Sequence, residues 1–229
     1  MWLRRLEWAT DEQLDRISEI WSTSLRDAWI VQANHGFDQT IVSRAFRYRA
    51  QVGVTDACVW VAGEKEGEIQ GAMHVFPKGC DIWVSKTAKS AWPTWQDAMD
   101  PQVYAWKLRE VSPRLDDLYD RACRKYNTTL KESIFLSVIG VDTKAQRRGI
   151  GEALMSVLKK EAVKLNTIIC LACGEEDTVR WYEKAGFEDV LSDAMDIRGR
   201  QGRVHVMLWR ASMEGRSTNP RHCSEWSSW

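Results

Sequence analysis

Residues 138–155 constrain the fold more than any other part of the chain. An apolar run ends at Val141, a polar stretch containing Arg147 and Arg148 follows, and Gly149 and Gly151 open a new apolar periodicity. Ile134 to Val141 is rich in β-branched residues and reads as a buried strand. Ile150, Leu154, Leu158, Ala162 and Leu165 recur at helical spacing, so the two glycines stand where a helix begins. The first turn of a helix leaves backbone N–H groups unpaired and carries roughly half a positive charge, which suits an anion. Glycine at that place lets a phosphate approach the backbone. The turn from Gln146 to Glu152 therefore reads as a pyrophosphate cradle, or as a plain glycine-containing helix start with a solvated basic loop.

Gln146, Arg147, Arg148, Gly149, Ile150 and Gly151 resemble the Gln/Arg-x-x-Gly-x-Gly/Ala signature of the GNAT superfamily of N-acetyltransferases, which follows a strand and opens a helix. Farther on, Trp181 to Phe187, with Tyr182, Glu183, Lys184 and Gly186, is similar to that family's Tyr-Glu-Lys-x-Gly-Phe segment. The motifs stand in the family's order with one predicted strand between them, and the resemblance is close over about Ile134 to Val190. It implies an α/β (α+β) fold, a mixed and mostly antiparallel sheet flanked by helices. A Trp-rich insertion would lie between the third and fourth strands. It also implies acetyl-CoA as co-substrate, held by Gln146, Arg147, Arg148, Gly149, Ile150, Gly151 and Glu152. Main-chain groups of Ile139 and Val141 would pair with the pantetheine arm like an added strand. The Val141 N–H would then be offered to the thioester oxygen, and Tyr182 would protonate the departing thiolate. Many family members carry an asparagine about two turns before this tyrosine; here the chain has Glu175, Glu176 and Asp177.

A length of 229 residues suits one well-buried core with an insertion. The expected organisation is a single domain over 1–212, an insertion over about 78–131, and a polar tail over 213–229. Lysines and arginines (32) balance aspartates and glutamates (32), so no footprint for nucleic acid or an anionic membrane is expected. The N-terminal residues lack the apolar core of a signal peptide, and the longest apolar runs are too short to span a bilayer. A cytoplasmic location with free thiols is the expectation. Cys170 and Cys173 lie three apart on a predicted strand and point to opposite faces. With no ligand spacing among His35, His74, His205 and His222, no metal is expected.

Taken in order, the pattern predicts a strand over 3–8, then a helix from Asp11 to about Trp29 capped by Thr10 and Gln13. A second helix from Asp38 or Gln39 to Ala50 and a hairpin of strands over 57–62 and 69–76 follow. Ser112 and Pro113 read as the N-cap and first turn of another helix. Strands over 167–172, 191–197 and 204–209 and a helix over 178–185 complete the pattern, with Gly186 as a left-handed C-cap.

An attacking amine also needs a base. His74 on the third strand has a suitable residue type, with Glu132 and Asp142 as further candidates, and the sequence does not choose among them. Tryptophan is abundant at 13 residues, and Trp83, Trp92, Trp95 and Trp106 cluster in the insertion. They suit either the wall of a pocket for an aromatic or apolar amine or a minicore that holds a long loop. The expected function is acetyl transfer from acetyl-CoA to a small-molecule amine by direct attack, in a monomer or homodimer. A catalytically inactive relative that binds through the insertion, or an enzyme using another acyl-CoA or an oxygen acceptor, remains open.

Overall fold

A computed structural model describes residues 1–56, 58–80 and 101–211. Trp83, Trp92 and Trp95 and the tail beyond 211 lie outside the described residues. Among the described residues, seven strands form one sheet in the order β1-β2-β3-β4-β5-β7-β6. The strands are β1 (Trp2–Leu6), β2 (Val59–Gly63), β3 (Gly71–Phe76), β4 (Ile134–Val141), β5 (Ile169–Cys173), β6 (Glu188–Ile197) and β7 (Arg200–Trp209). Every neighbouring pair is antiparallel except β4 and β5. The expected mixed, mostly antiparallel sheet flanked by helices is what the chain forms.

The helices are α1 (Asp11–Ser24), α2 (Trp29–Asn34), α3 (Gln39–Thr55), α4 (Pro101–Trp106), α5 (Ser112–Arg124), α6 (Ile150–Lys164) and α7 (Glu176–Lys184). α6 and α7 cover one face, packing Ile150, Leu154, Leu158, Val179 and Tyr182 against Met73, Leu136, Ile169, Leu171 and Met207. α1 and α3 cover the other face over β1 to β4, through Ile17, Ile20, Trp21, Val42 and Phe46. α5 covers that same face over β5 to β7, where Leu118 and Ala122 meet Cys170, Val204 and Val206. Cys170 and Cys173 thus belong to clusters on opposite faces.

Local chemistry explains most boundaries. Thr10 and Gln13 form the anticipated capping box at α1, and Asp38 accepts from the amides of Thr40 and Ile41 at α3. The first helix stops at Ser24, and Trp29 opens a separate short helix. α3 continues five residues beyond Ala50, where Val52 and Val54 are still buried. The β6–β7 connection is tighter than its polar composition suggested. Arg198 and Gly199 both take positive φ, the geometry of a two-residue hairpin turn, so both strands run to its edge.

Ser112 and Pro113 do not start a helix. α4 leads through a π-helical segment, Lys107–Val111, straight into α5, and Ser112 has helical dihedrals. Proline inside a helix cannot donate and clashes with the carbonyl four residues back; a widened π turn just before Pro113 relieves that conflict.

Candidate functional site

The site follows from how β4 leaves β5. Their parallel pairing covers only Ile134↔Ile169 and Phe135↔Cys170. Beyond Phe135 the two strands have no register, and β4 presents an unpaired edge toward β5 as far as Val141. On its other side β4 stays paired with β3 to Gly71↔Val141, with one irregularity where Val75↔Leu136 is followed by His74↔Val138. Ser137 is the extra residue of that bulge, which bends the strand beside the gap. Arg49 from α3 donates to the Ser137 hydroxyl there.

The ladder also fixes which main-chain groups face the gap. The Asp142 amide donates to Gln70 O at 2.8 Å, toward β3. In an antiparallel ladder alternate residues point the same way, so Ile139 and Val141 turn their N–H and C=O groups toward the β5 side. The Val141 carbonyl accepts from Gln146 Nε2 at 3.3 Å. The two residues foreseen as partners for an extended ligand therefore carry their main-chain groups at the gap.

Residues 142–149 form the turn above this edge. The Asp142 carboxylate accepts from the Lys144 amide at 2.9 Å and from Arg16 of α1, and these two interactions hold it below the usual carboxylate range. It is engaged as an anion and makes a poor base. Arg147 and Gly149 take left-handed backbone at φ 62° and 82°, and Gly149 is the N-cap of α6 with no side-chain cap bond. The first amides of α6 are thus left to a ligand or to water. Arg148 turns away from the helix axis, pairing with Glu64 at 2.9 Å and donating to Lys144 O at 3.0 Å. Ile150 is buried and anchors the helix, Gly151 faces the gap, and Glu152 lies exposed in the first turn.

A Cβ on Gly151 would lie 3.3 Å from Trp181 Cζ2 and 3.7 Å from Val141 Cγ2. The end of β4, the start of α6 and the middle of α7 converge at that point. Trp181 was not singled out as a separate site residue; its place beside the glycine appears only when α7 folds back. The missing Cβ of Gly151 leaves a slot one methyl wide against the indole and Val141, next to the first amides of α6.

Tyr182 is next along α7, buried at 5% exposure and packed between Trp181 (ring centroids 4.9 Å) and Phe187 (5.3 Å). Burial, with Cys173 nearby, pushes its phenol upward, so it stays protonated over the whole physiological range. Gly186 at φ 79° ends the helix as anticipated, with Phe187 N returning to Tyr182 O at 3.0 Å. Glu175, near the position where the family has asparagine, accepts from the Trp29 amide at 2.7 Å and so ties α2 to the corner between β5 and α7.

His74 is 1% exposed, and burial together with Arg49 keeps its imidazole well below the usual value. Lys107, in the π turn, is held down to about 7 by burial and by Arg49, and His35 to about 3 by burial, Lys107 and Arg49. These groups lie on the α3 and α5 side of the sheet. No group of three or more His, Cys, Asp and Glu capable of holding a metal occurs among the described residues. No helix among them is long and apolar enough to cross a membrane.

A family model described as an acetyltransferase (GNAT) domain matches residues 119–189, from within α5 through β4, the turn, α6, β5 and α7 into β6. No curated protein sequence matches the chain. Among solved structures, the mosquito arylalkylamine N-acetyltransferase-like 5b protein superposes with a TM-score of 0.56 at 16% identity, covering 92% of this chain and 99% of its own. An N-acetyltransferase from Staphylococcus aureus Mu50 gives 0.54 at 16% identity, covering 91% and 100%. The Drosophila melanogaster polyamine N-acetyltransferase, which forms N-acetylagmatine, gives 0.50 at 15%, covering 92% and 99%. At these identities the likeness is one of fold.

Proposed function

We infer an acetyl-CoA-dependent N-acetyltransferase acting on a small amine, from the match of residues 119–189 to an acetyltransferase (GNAT) domain model and the likeness of the fold to solved N-acetyltransferases. The observation that supports this best is the splayed edge of β4. Ile139 and Val141 offer main-chain groups to the gap, and the amides of α6 stand at its end beyond a glycine slot. Acetyl-CoA would supply an activated acyl thioester, its phosphates held by Gln146, Arg147, Arg148, Gly149, Ile150, Gly151 and Glu152.

The chain's own groups have three tasks. Val141 N–H donates to oxygen that gains negative charge. Tyr182, kept protonated by burial, gives its proton to departing sulfur and recovers one from the acylated nitrogen. Trp181 and Gly151 exclude water from the arm. Related folds bear names with amine substrates, agmatine and arylalkylamines among them, which supports an amine acceptor here.

A thermal-shift titration tests the reading, with NADH as control nucleotide. At one hundred times its dissociation constant acetyl-CoA stabilises by about 2.7 kcal/mol. For a domain of this size that raises the melting temperature by roughly 5–10 °C. A shift with acetyl-CoA alone, followed by transfer to an amine, supports the assignment. A folded protein that ignores acetyl-CoA overturns it.

A further inference from the structure

An ammonium must lose a proton before it can attack. Asp142 is held as an ion-paired carboxylate, His74 is enclosed against α3, and Glu132 lies exposed before Ile134, at the end of β4 away from the gap, so none of the three expected candidates suits the task. A different histidine does. His205 on β7 stands directly opposite Cys173, the last residue of β5. Its side chain is only 8% exposed, and its Nδ1 lies 2.7 Å from Asp189 Oδ2 on β6. A carboxylate at that nitrogen accepts the hydrogen bond from Nδ1–H, which in the neutral ring leaves the lone pair on Nε2. His205 Nε2 is buried without a hydrogen-bond partner, a rare condition for a polar atom. Glu176 Oε1 lies 3.9 Å from it, on a side chain that is 70% exposed.

The surroundings are acidic. Burial, with the charges of Glu175, Asp189 and Glu176, pushes the Cys173 thiol up to about 12. Glu175 already serves the Trp29 amide, which leaves Asp189 on the imidazole and Glu176 at the mouth. Cys173 ends β5 three residues beyond Cys170, the last β5 residue paired with β4, on the stretch where the two strands have parted. Tyr182 lies near the same thiol from α7. An acid and a buried, unpartnered base therefore flank Cys173 on one face of the sheet.

We propose that the corner formed by His205, Asp189 and Glu176 receives the acceptor, a primary aliphatic ammonium, and that His205 Nε2 is the base that removes its proton. The proposal rests on the acetyltransferase reading. Glu176 holds the cation, and one ammonium proton passes to Nε2. The freed nitrogen lone pair forms the C–N bond as the C–S bond breaks. Sulfur takes the Tyr182 proton, the amide nitrogen returns one to Tyr182, and the proton on His205 leaves to solvent past Glu176. Neutral amines need no such deprotonation, so only basic ones depend on His205.

The test uses the full chain, its H205Q and D189N variants, and two acceptors, agmatine as a basic amine and aniline as one already neutral at pH 7. Thermal melts first establish that each variant is folded. H205Q is expected to lose about 10²–10⁴ in kcat/KM with agmatine together with the acid limb of its pH profile, and much less with aniline. D189N, whose amide can donate to Nδ1 and reverse the tautomer, is expected to lose at least tenfold in kcat. Independently of turnover, imidazole ¹⁵N shifts in protein without acetyl-CoA should show Nε2 bare and Nδ1 protonated at pH 8, and agmatine should perturb Nε2. H205Q within threefold of wild type with an unchanged pH limb, or a proton on Nε2, would overturn the base while leaving the acetyltransferase standing. A wild-type protein that binds acetyl-CoA yet acetylates neither amine would remove both.

Discussion

In the proposed site Gly151 matters by what it lacks and Tyr182 by what it keeps. A methyl on Gly151 would press on Trp181 from 3.3 Å, a contact the indole can relieve by a small shift, whereas a branched side chain would fill the slot against Val141. G151V is therefore expected to weaken acetyl-CoA binding at least tenfold in a titration while changing the melting temperature little. Tyr182 makes no hydrogen bond through its hydroxyl among the described residues, and its ring is packed on both sides. Y182F should fold with unaltered stability and lose about a hundredfold in kcat, the lower end of what a positioned acid supplies. Equal turnover by Y182F would remove the tyrosine from the chemistry. The places of these residues at a helix start and on a helix ended by Gly186 were legible because glycine spacing and the Tyr-Glu-Lys-x-Gly-Phe run are local patterns. Trp181 was not, since its partner Gly151 lies a whole helix and strand away in the chain.

At the level of elements, α7 places both Tyr182 and Glu176, and it is fixed by its two ends. At its C-terminus Gly186 adopts φ 79° with open space for a Cβ, the nearest atom being Trp209 Nε1 at 3.6 Å. G186A thus meets backbone strain alone, expected at about 1 kcal/mol. That corresponds to a fall of roughly 2–4 °C in melting temperature for a chain of this size. α1 has its own handle in the reciprocal bonds of Thr10 and Gln13, at 3.2 and 3.1 Å. T10A should cost about 1 kcal/mol without altering acetyl-CoA binding, because the cap lies at the opposite end of α1 from Trp21 and Ser24, which pack on Gly140 of β4. Caps of this kind are written within four residues and were foreseen. The run from Pro101 to Arg124 was not, because proline in a first turn and proline after a π segment carry the same local signal.

For the whole molecule, the buried basic groups on the α3 and α5 side set how stability depends on pH. His35 falls from 6.5 to about 3 on folding and Lys107 from 10.5 to about 7, so the unfolded chain binds more protons in both intervals. Stability must then rise with pH through about 3–6.5 and again through about 7–10.5. K107M should flatten the upper branch of a plot of melting temperature against pH and raise the melting temperature near pH 6. H35N should flatten the lower branch. Branches that persist in both variants would mean that other groups carry the dependence.

The order of the strands, the helices that begin at Asp11, Gln39, Ile150 and Glu176, and the turn after β4 follow from the sequence itself. Periodicity, capping and turn chemistry act over a few residues and can be read from them. The tertiary structure decided where β4 parts from β5, which main-chain groups face the gap, and which carboxylates surround His205. Those depend on sheet order and on the bulge at Ser137, which bring β5, β6, β7 and α7 together from separate parts of the chain. A histidine with no ligand spacing in the sequence thereby acquires a carboxylate on one nitrogen and no hydrogen-bond partner on the other, since burial and partnership are properties of the packed sheet.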